Sequence, residues 1–335
     1  MLFLAITAFI VSFVVTFVVT PLVISSTKKV GIVASDIHKK NKPLIPELGG
    51  IAIAAGVIAA LLLSIAAASF PSLRLFFNTA IDNSYLLAVL SVVLLIEIIG
   101  FLDDVLGLRQ KIKFLLPFAA SLPLAAVKVP ALHPFSLPLI GVITAVTPLF
   151  YEVIFIPIGI AASTNLANVF AGYNGLEAGL GATIALFLFI LGYSQGNQLT
   201  MVFSATLLGA LLAFLRYNWY PAQIFPDDVG TLLIGAMIGA TVIVGGIELA
   251  GAILMLPYIV DFLFFKIPNR LPSKGWWSTI TDHGLVHEGK SVHLGQFIVK
   301  RFPGISEQRL VILVLGAESI LGILVLLLYG VIKVF

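Results

Sequence analysis

The chain has 335 residues, of which 60% are apolar and 10% charged, with a mean hydropathy of +1.12. A soluble domain carries about 25% charged residues and leaves roughly a quarter of its unfolded surface facing water, so a soluble fold of this composition is excluded. The absence of Cys excludes a disulfide scaffold, a thiolate metal site and a cysteine nucleophile. An all-α polytopic membrane protein fits, because apolar runs long enough to span a bilayer as helices recur along the chain.

Ten spans are predicted, at 2–24, 49–69, 85–102, 114–129, 138–160, 178–193, 199–215, 230–246, 248–266 and 310–332. The first is too long for a signal-peptide core and is followed, not preceded, by Lys28 and Lys29, so it reads as a retained span. Only Gly245-Gly246 and Glu248 divide the eighth from the ninth, and one long kinked helix is the alternative there. Of the 19 Lys and Arg, all but Arg74, Lys128 and Lys333 fall in loops after odd-numbered spans. The positive-inside rule then predicts both termini outside and five loops in the cytoplasm. Acidic residues crowd the same loops although that rule does not govern them, which points to an active site on the cytoplasmic face. The whole of 1–335 reads as one membrane domain, with 267–307 as a substrate-recognition loop inside it.

Along the chain, the first cytoplasmic loop carries Lys39 and Glu47, placed to face one pocket, while its Pro and Gly residues fix a turn. Asp103 and Asp104 then close the third span. A carboxylate pair at a membrane boundary is costly unless solvated, paired or bound to a cation. A solvated helix end would explain one pair, but Phe-x-Asp-Asp-Val occurs twice, at 101–105 and 225–229. Two pairs converging at one depth suit a divalent cation, and Mg²⁺ suits best because it takes few carboxylates and lets substrate phosphates complete its shell, with Mn²⁺ as an alternative. Lys113, after Arg109 and Lys111, suits a diphosphate beside those acids, and positive-inside anchoring explains it equally well.

Between the fifth and sixth spans lie Asn165, Asn168 and Asn174. Asn165 and Asn168 are three apart and share a helical face. Asn amides coordinate hard cations and hydrogen-bond a base or sugar; a helix cap with a Gly turn is the bland reading. The loop from 267 holds Arg270, His283, His287 and His293. The His283–His287 spacing would fit zinc on a helix, but Gly284 and Gly289 argue for a solvated or substrate-reading loop instead. A short amphipathic helix is predicted within Ser291–Phe302.

Together these residues resemble the polyprenyl-phosphate N-acetylhexosamine-1-phosphate transferase family over nearly the whole chain. The matching motifs are Ile45-Pro46-Glu47-x-Gly49-Gly50-Ile51, Gly100-Phe101-x-Asp103-Asp104-Val105-x-x-Leu108-Arg109, Asn165-x-x-Asn168-x-x-Ala171-Gly172-x-Asn174-Gly175-Leu176-Glu177-Ala178-Gly179 and Asp228-x-Gly230. The third is similar to the eukaryotic and archaeal dolichyl-phosphate branch, since bacterial translocases have Asp-Gly in place of Ala171-Gly172. The resemblance implies that Asn168 and Asp228 hold Mg²⁺, that Lys113 contacts the diphosphate and that Asn174 reads the uracil. It makes Asp103 and Asp104 the essential acidic pair and Arg270 the arginine of the sugar loop, where Asn269 and Leu271 depart from the family pattern. Lys39, Glu47 and Asn165 are expected around the substrate.

The implied reaction moves GlcNAc-1-phosphate from UDP-GlcNAc to a polyprenyl (dolichyl-type) phosphate and releases UMP, the first step of a lipid-linked glycan. The implied setting is a prokaryotic, archaeal-type plasma membrane, with a homodimer admissible and no nucleic-acid partner. The alternatives are the same chemistry on another UDP-amino sugar and, from a different class, an ion-coupled secondary transporter. An intramembrane aspartyl protease and a CDP-alcohol phosphotransferase lack their signatures here.

Overall fold

A computed structural model of the protein describes residues 2–127, 135–137, 141–143, 148–270 and 278–332. Helix α1 (Leu2–Val30) is apolar almost throughout and ends on Lys28 and Lys29. An antiparallel hairpin of β1 (Val33–Ser35) and β2 (Leu44–Pro46), with Val33 opposite Pro46, leads into α2 (Gly50–Ser69). Next come α3 (Pro71–Phe77) and α4 (Asn83–Leu106). Gly107, left-handed at φ 65°, ends α4 directly after the Asp103-Asp104 pair.

The predicted fourth span is two short pieces, α5 (Gln110–Ala120) and α6 (Leu122–Ala126), broken at Ser121 where Pro123 opens the second. Together they reach only about 25 Å at the helical rise per residue. The predicted fifth span needs correcting at both ends. Strand β3 (Phe135–Leu137) pairs with β4 (Gly141–Ile143), and the helix is a later rod of α7 (Pro148–Phe150), a π-helical turn Tyr151–Phe155 and α8 (Ile156–Val169). β-Branched Val142 and Ile143 are apolar but lie in β4, and residues 138–140 and 144–147 of the predicted span lie outside the described residues. Ala161 to Asn168 lowers the hydropathy while continuing the helix.

The remaining helices are α9 (Leu176–Ser194), α10 (Gln198–Asn218), α11 (Asp227–Gly245), α12 (Glu248–Leu254) and α13 (Leu256–Val260), followed by a π-helical turn Asp261–Lys266. Strands β5 (Thr279–Thr281) and β6 (Gly284–Val286) form a third hairpin before α14 (Leu294–Arg301) and α15 (Glu307–Leu328). Among the described residues eight helices are long and apolar enough to cross a membrane, and the pair from Glu248 to Lys266, bent by 62°, is a ninth when counted as one span. The hairpin reading of 230–266 holds. Asp228 opens α11 and Lys266 closes the bent pair, yet both line one cavity, so the chain goes out and returns.

Every residue of α11 from Val229 to Gly245 is buried, and the helix is surrounded by α2, α4, α8, α9 and α10. It needs no polar face because no side of it meets solvent. Two glycines let its first turn sit against the backbones of α2 and α4. A Cβ on Gly50 would lie 2.1 Å from the Gly230 nitrogen, and one on Gly100 would lie 2.7 Å from the Val229 Cα. The bundle has a polar end and a far end. Phe3 packs on Phe76 and Phe77 at the far end, where the Tyr151 hydroxyl also donates to Glu248 and α15 runs alongside α12. The loops after α1, α4, α8, α10 and the bent pair all gather at the polar end, around the start of α11.

Candidate active site

The start of α11 is assembled by long-range contacts. Leu48 N–H donates to Asp227 Oδ2 at 2.7 Å, Gly49 N–H to the Phe225 carbonyl at 2.8 Å and Phe225 N–H to the Pro46 carbonyl at 2.9 Å. Asp227 is left-handed at φ 52°, a conformation that Asp tolerates better than most side chains. The Ile45-Pro46-Glu47 motif therefore clamps the loop that delivers Asp228. Asp104 caps the same helix: its Oδ1 accepts from Asp228 N–H at 3.1 Å and its Oδ2 from Val229 N–H at 3.0 Å. Both of its oxygens satisfy N–H groups that a helix start leaves unpaired.

Lys113, in the first turn of α5, joins the two Asp pairs. Its Nζ is 2.5 Å from Asp103 Oδ2 and 2.5 Å from Asp228 Oδ2. Asp103 is held from behind by Leu108 N–H at 2.8 Å. From α8, Asn168 Nδ2 donates to Asp228 Oδ1 at 2.5 Å and to Thr231 Oγ1 at 2.9 Å. Asn165, one turn earlier, donates to the carbonyls of Ala161 at 2.8 Å and Phe114 at 3.2 Å, tying α8 to α5. The repeated Phe-x-Asp-Asp-Val segments thus meet as their spacing suggested, with an ammonium between them.

A cavity of about 560 Å³ opens on this cluster, and Glu47, Asp104, Lys113, Asn165, Asn168, Asn174 and Asp228 line it. Three expected site residues do not line it. Asp103 stands behind Lys113, and exposed Arg270 adjoins the undescribed residues 271–277. Lys39 is taken up by acids, with an ion pair to Asp36 at 3.3 Å and another to Glu307. Those two acids also fix Asn174: Glu307 Oε1 accepts its backbone N–H at 2.7 Å, and Asp36 Oδ2 accepts from its Nδ2 at 3.0 Å. Glu177 accepts from Gly172 N–H at 2.6 Å, bracing the same turn. Asp36 and Glu307 were not among the sequence candidates, because nothing local marks two acids whose shared partner, Asn174, lies 138 and 133 residues away.

No described residue of the predicted substrate-recognition loop, 267–307, lines the cavity, but the loop touches one that does. Ser278 N–H donates to His38 Nε2 at 3.3 Å, and the His38 ring stacks on Tyr173 at 4.6 Å. His293 begins α14, accepting Gly295 N–H on Nδ1 at 3.0 Å and stacking on Phe170 at 5.2 Å. His283 and His287 lie around the β5–β6 hairpin rather than on a helix, and no group of three or more His, Asp or Glu suited to a metal occurs among the described residues.

Burial holds the His38 imidazole down at about 4, against an opposing pull from Asp36. Burial also keeps His293 well below the ordinary range, with Lys266 and His38 adding to it. An unfolded histidine titrates near 6.5, so below that pH the unfolded chain binds a proton that the folded chain refuses. The stability contributed by neutral His38 is complete above pH 6.5 and falls away as the pH drops toward 4. The solubilised protein is expected to lose melting temperature between pH 7 and pH 5, and His38→Asn to lose less over the same interval. Equal losses in the two would remove His38 as a cause.

Residues 86–246 match the family described as glycosyl transferase family 4. A Saccharolobus solfataricus protein, provisionally named a UDP-N-acetylglucosamine–dolichyl-phosphate N-acetylglucosaminephosphotransferase, is 34% identical over 309 residues, covering 91% of each chain. The Dictyostelium discoideum enzyme of that name is 28% identical over 282 residues, covering 73% of this chain and 67% of its own. A phospho-N-acetylmuramoyl-pentapeptide-transferase of Clostridium novyi is 35% identical over 143 residues, covering 37% of this chain and 44% of its own. The motif segments on α4, α8 and α11 all fall inside the matched region, and with them placed around one cavity the chain belongs to glycosyl transferase family 4.

Proposed function

We propose that the chain transfers GlcNAc-1-phosphate from UDP-GlcNAc to a dolichyl-type polyprenyl phosphate, releasing UMP at the cytoplasmic face of a prokaryotic plasma membrane. The observation that carries this reading is the meeting of Asp103, Lys113, Asn168 and Asp228 at the start of α11, the last three of them lining a cavity that Asn174 also lines. The names of the Saccharolobus and Dictyostelium relatives support the donor and the acceptor. The lysine- and arginine-rich loops at the cavity end support a cytoplasmic site.

The residues present fit Mg²⁺. Asp228 directs both oxygens at cationic or amide N–H groups, so the position already attracts positive charge. Asn168 would offer Oδ1 to a metal after a turn of its amide. An ion that keeps waters and takes phosphate oxygens needs no cluster of three protein acids. Asp228 and Asn168 would hold Mg²⁺, or Mn²⁺ in its place, and when bound the ion supplies neutralisation of the diphosphate charge.

The acceptor phosphate has a second pKa near 6 and is mostly dianionic at pH 7, so it attacks without a general base. Its oxygen bonds to the sugar-linked phosphorus as the bond from that phosphorus to the bridging oxygen breaks, and the bridging oxygen leaves with UMP. Lys113 presents its ammonium where the donor diphosphate can replace Asp228 as counter-ion. Asp104, with both oxygens on backbone N–H groups, positions Asp228 rather than moving a proton. Asn174, oriented by Asp36, turns its amide oxygen away from that acid and so suits an N–H donor such as that of uracil. With dolichyl phosphate and Mg²⁺, the purified protein is expected to consume UDP-GlcNAc, leave UDP-MurNAc-pentapeptide untouched and stop in EDTA. Use of the pentapeptide donor alone, or turnover indifferent to EDTA, contradicts the reading.

A further inference from the structure

The charges around the cavity do not balance. Asp36, Glu47, Asp104, Glu177, Asp227 and Asp228 line it, against two ammonium groups, on Lys113 and Lys266. Lys113 is answered by two carboxylates at 2.5 Å each. Lys266 is only 6% exposed, yet among the described residues it makes no ion pair and no side-chain hydrogen bond. The undescribed residues include no Asp or Glu that could answer it. Asp261 at the start of the same π-helical turn is the acid that acts on it, beyond ion-pair distance; its Oδ1 accepts Leu294 N–H at 2.6 Å, while its Oδ2 is buried without a hydrogen-bond partner. Neutral His293 faces it from α14. The Lys266 side chain therefore meets the cavity with no fixed counter-ion, which leaves its ammonium available to an anion that enters there.

Its place in the fold selects which anion. Lys266 closes the bent helix pair, and its neighbours Leu263, Phe264 and Ile267 are 48%, 68% and 49% exposed on the apolar outer surface. Lys266 lines the cavity while the apolar residues around it are exposed on the outer surface. A water-soluble donor has no reason to approach by that wall. An amphiphile does, with its tail along the apolar side chains and its head at the charge. We propose that Lys266 is the cation that receives the phosphate head of the lipid acceptor, an assignment that rests on the reaction proposed above.

Wild type, Lys266→Met and Lys266→Arg, purified at full length, are compared with dolichyl phosphate, UDP-GlcNAc and Mg²⁺. One charge-assisted contact corresponds to about a 10- to 100-fold effect. Lys266→Met is expected to raise the acceptor KM by at least about tenfold, leaving the donor KM within about twofold, and Lys266→Arg to restore most of the loss. An unchanged acceptor KM, or a donor KM that rises by the same factor, overturns the assignment. UDP-GlcNAc binding without lipid, read by calorimetry, should match in wild type and Lys266→Met. Its loss in Lys266→Met, with Lys266→Arg still binding, places the residue on the donor diphosphate and likewise overturns the proposal. If wild type releases no UMP with any lipid, the reaction has failed on its own. Thermal stabilisation by dolichyl phosphate but not by dolichol, present in wild type and absent in Lys266→Met, still decides Lys266.

Discussion

Asp228→Ala is expected to lower turnover by about 10³-fold and to abolish what remains of its dependence on Mg²⁺. Asp228 stands where the chain's polar elements meet. Its Oδ2 faces Lys113 from α5 and its Oδ1 faces Asn168 from α8, while its backbone N–H is held by Asp104 from α4. No other described carboxylate touches both the ammonium and the amide. Asp228→Asn keeps the shape and the Asp104 cap but loses the charge, so it is expected to fall nearly as far as Ala. Titrating Mg²⁺ against UMP release in the three proteins checks this. An Ala variant with the wild-type Mg²⁺ response would remove Asp228 from the metal site.

Lys113→Ala has the second largest expected effect, and it acts on stability as well as on rate. Asp103 and Lys113 are almost inaccessible, so removing the ammonium leaves two acids facing each other in a poorly solvated place. Breaking one side of a buried ion pair costs about 3–5 kcal/mol, and a loss toward the lower end is expected because Asp228 keeps some solvent. Turnover should drop by about 10²-fold or more, since the diphosphate loses its side-chain cation. The double variant Lys113→Met with Asp103→Asn separates the two effects. It is expected to recover most of the stability, because no unpaired acid remains at 103, and none of the activity. Recovery of activity in the double variant would make Lys113 a purely structural partner of Asp103.

The parts legible in the sequence were those repeated or concentrated along it. The two Phe-x-Asp-Asp-Val segments announced a meeting point, and the structure joins them through Lys113 and the Asp104 cap. Asn165 and Asn168 do share the cavity face of α8, as their spacing required. Residues whose meaning lies in a distant partner were not legible. Lys39 was expected in the pocket but is consumed by Asp36 and Glu307, the latter 268 residues away. Lys266 looked like one more anchoring cation, since sequence counts charges but cannot say which of them lack counter-ions. The fifth span was misplaced because hydropathy weighs β-branched Val142 and Ile143, which lie in β4, above the small and polar residues that complete α8.

The central claim is that a phosphosugar moves, not a sugar alone, and the nucleotide left behind tests it most directly. The purified protein is given UDP-GlcNAc, Mg²⁺ and dolichyl phosphate, and the nucleotide product is resolved by chromatography. Attack at the sugar-linked phosphorus, as the Lys113–Asp228 cluster requires, predicts UMP in step with a lipid that carries two phosphates and GlcNAc. UDP in place of UMP, with a lipid that carries one phosphate, would mean attack at the sugar carbon and would contradict the account.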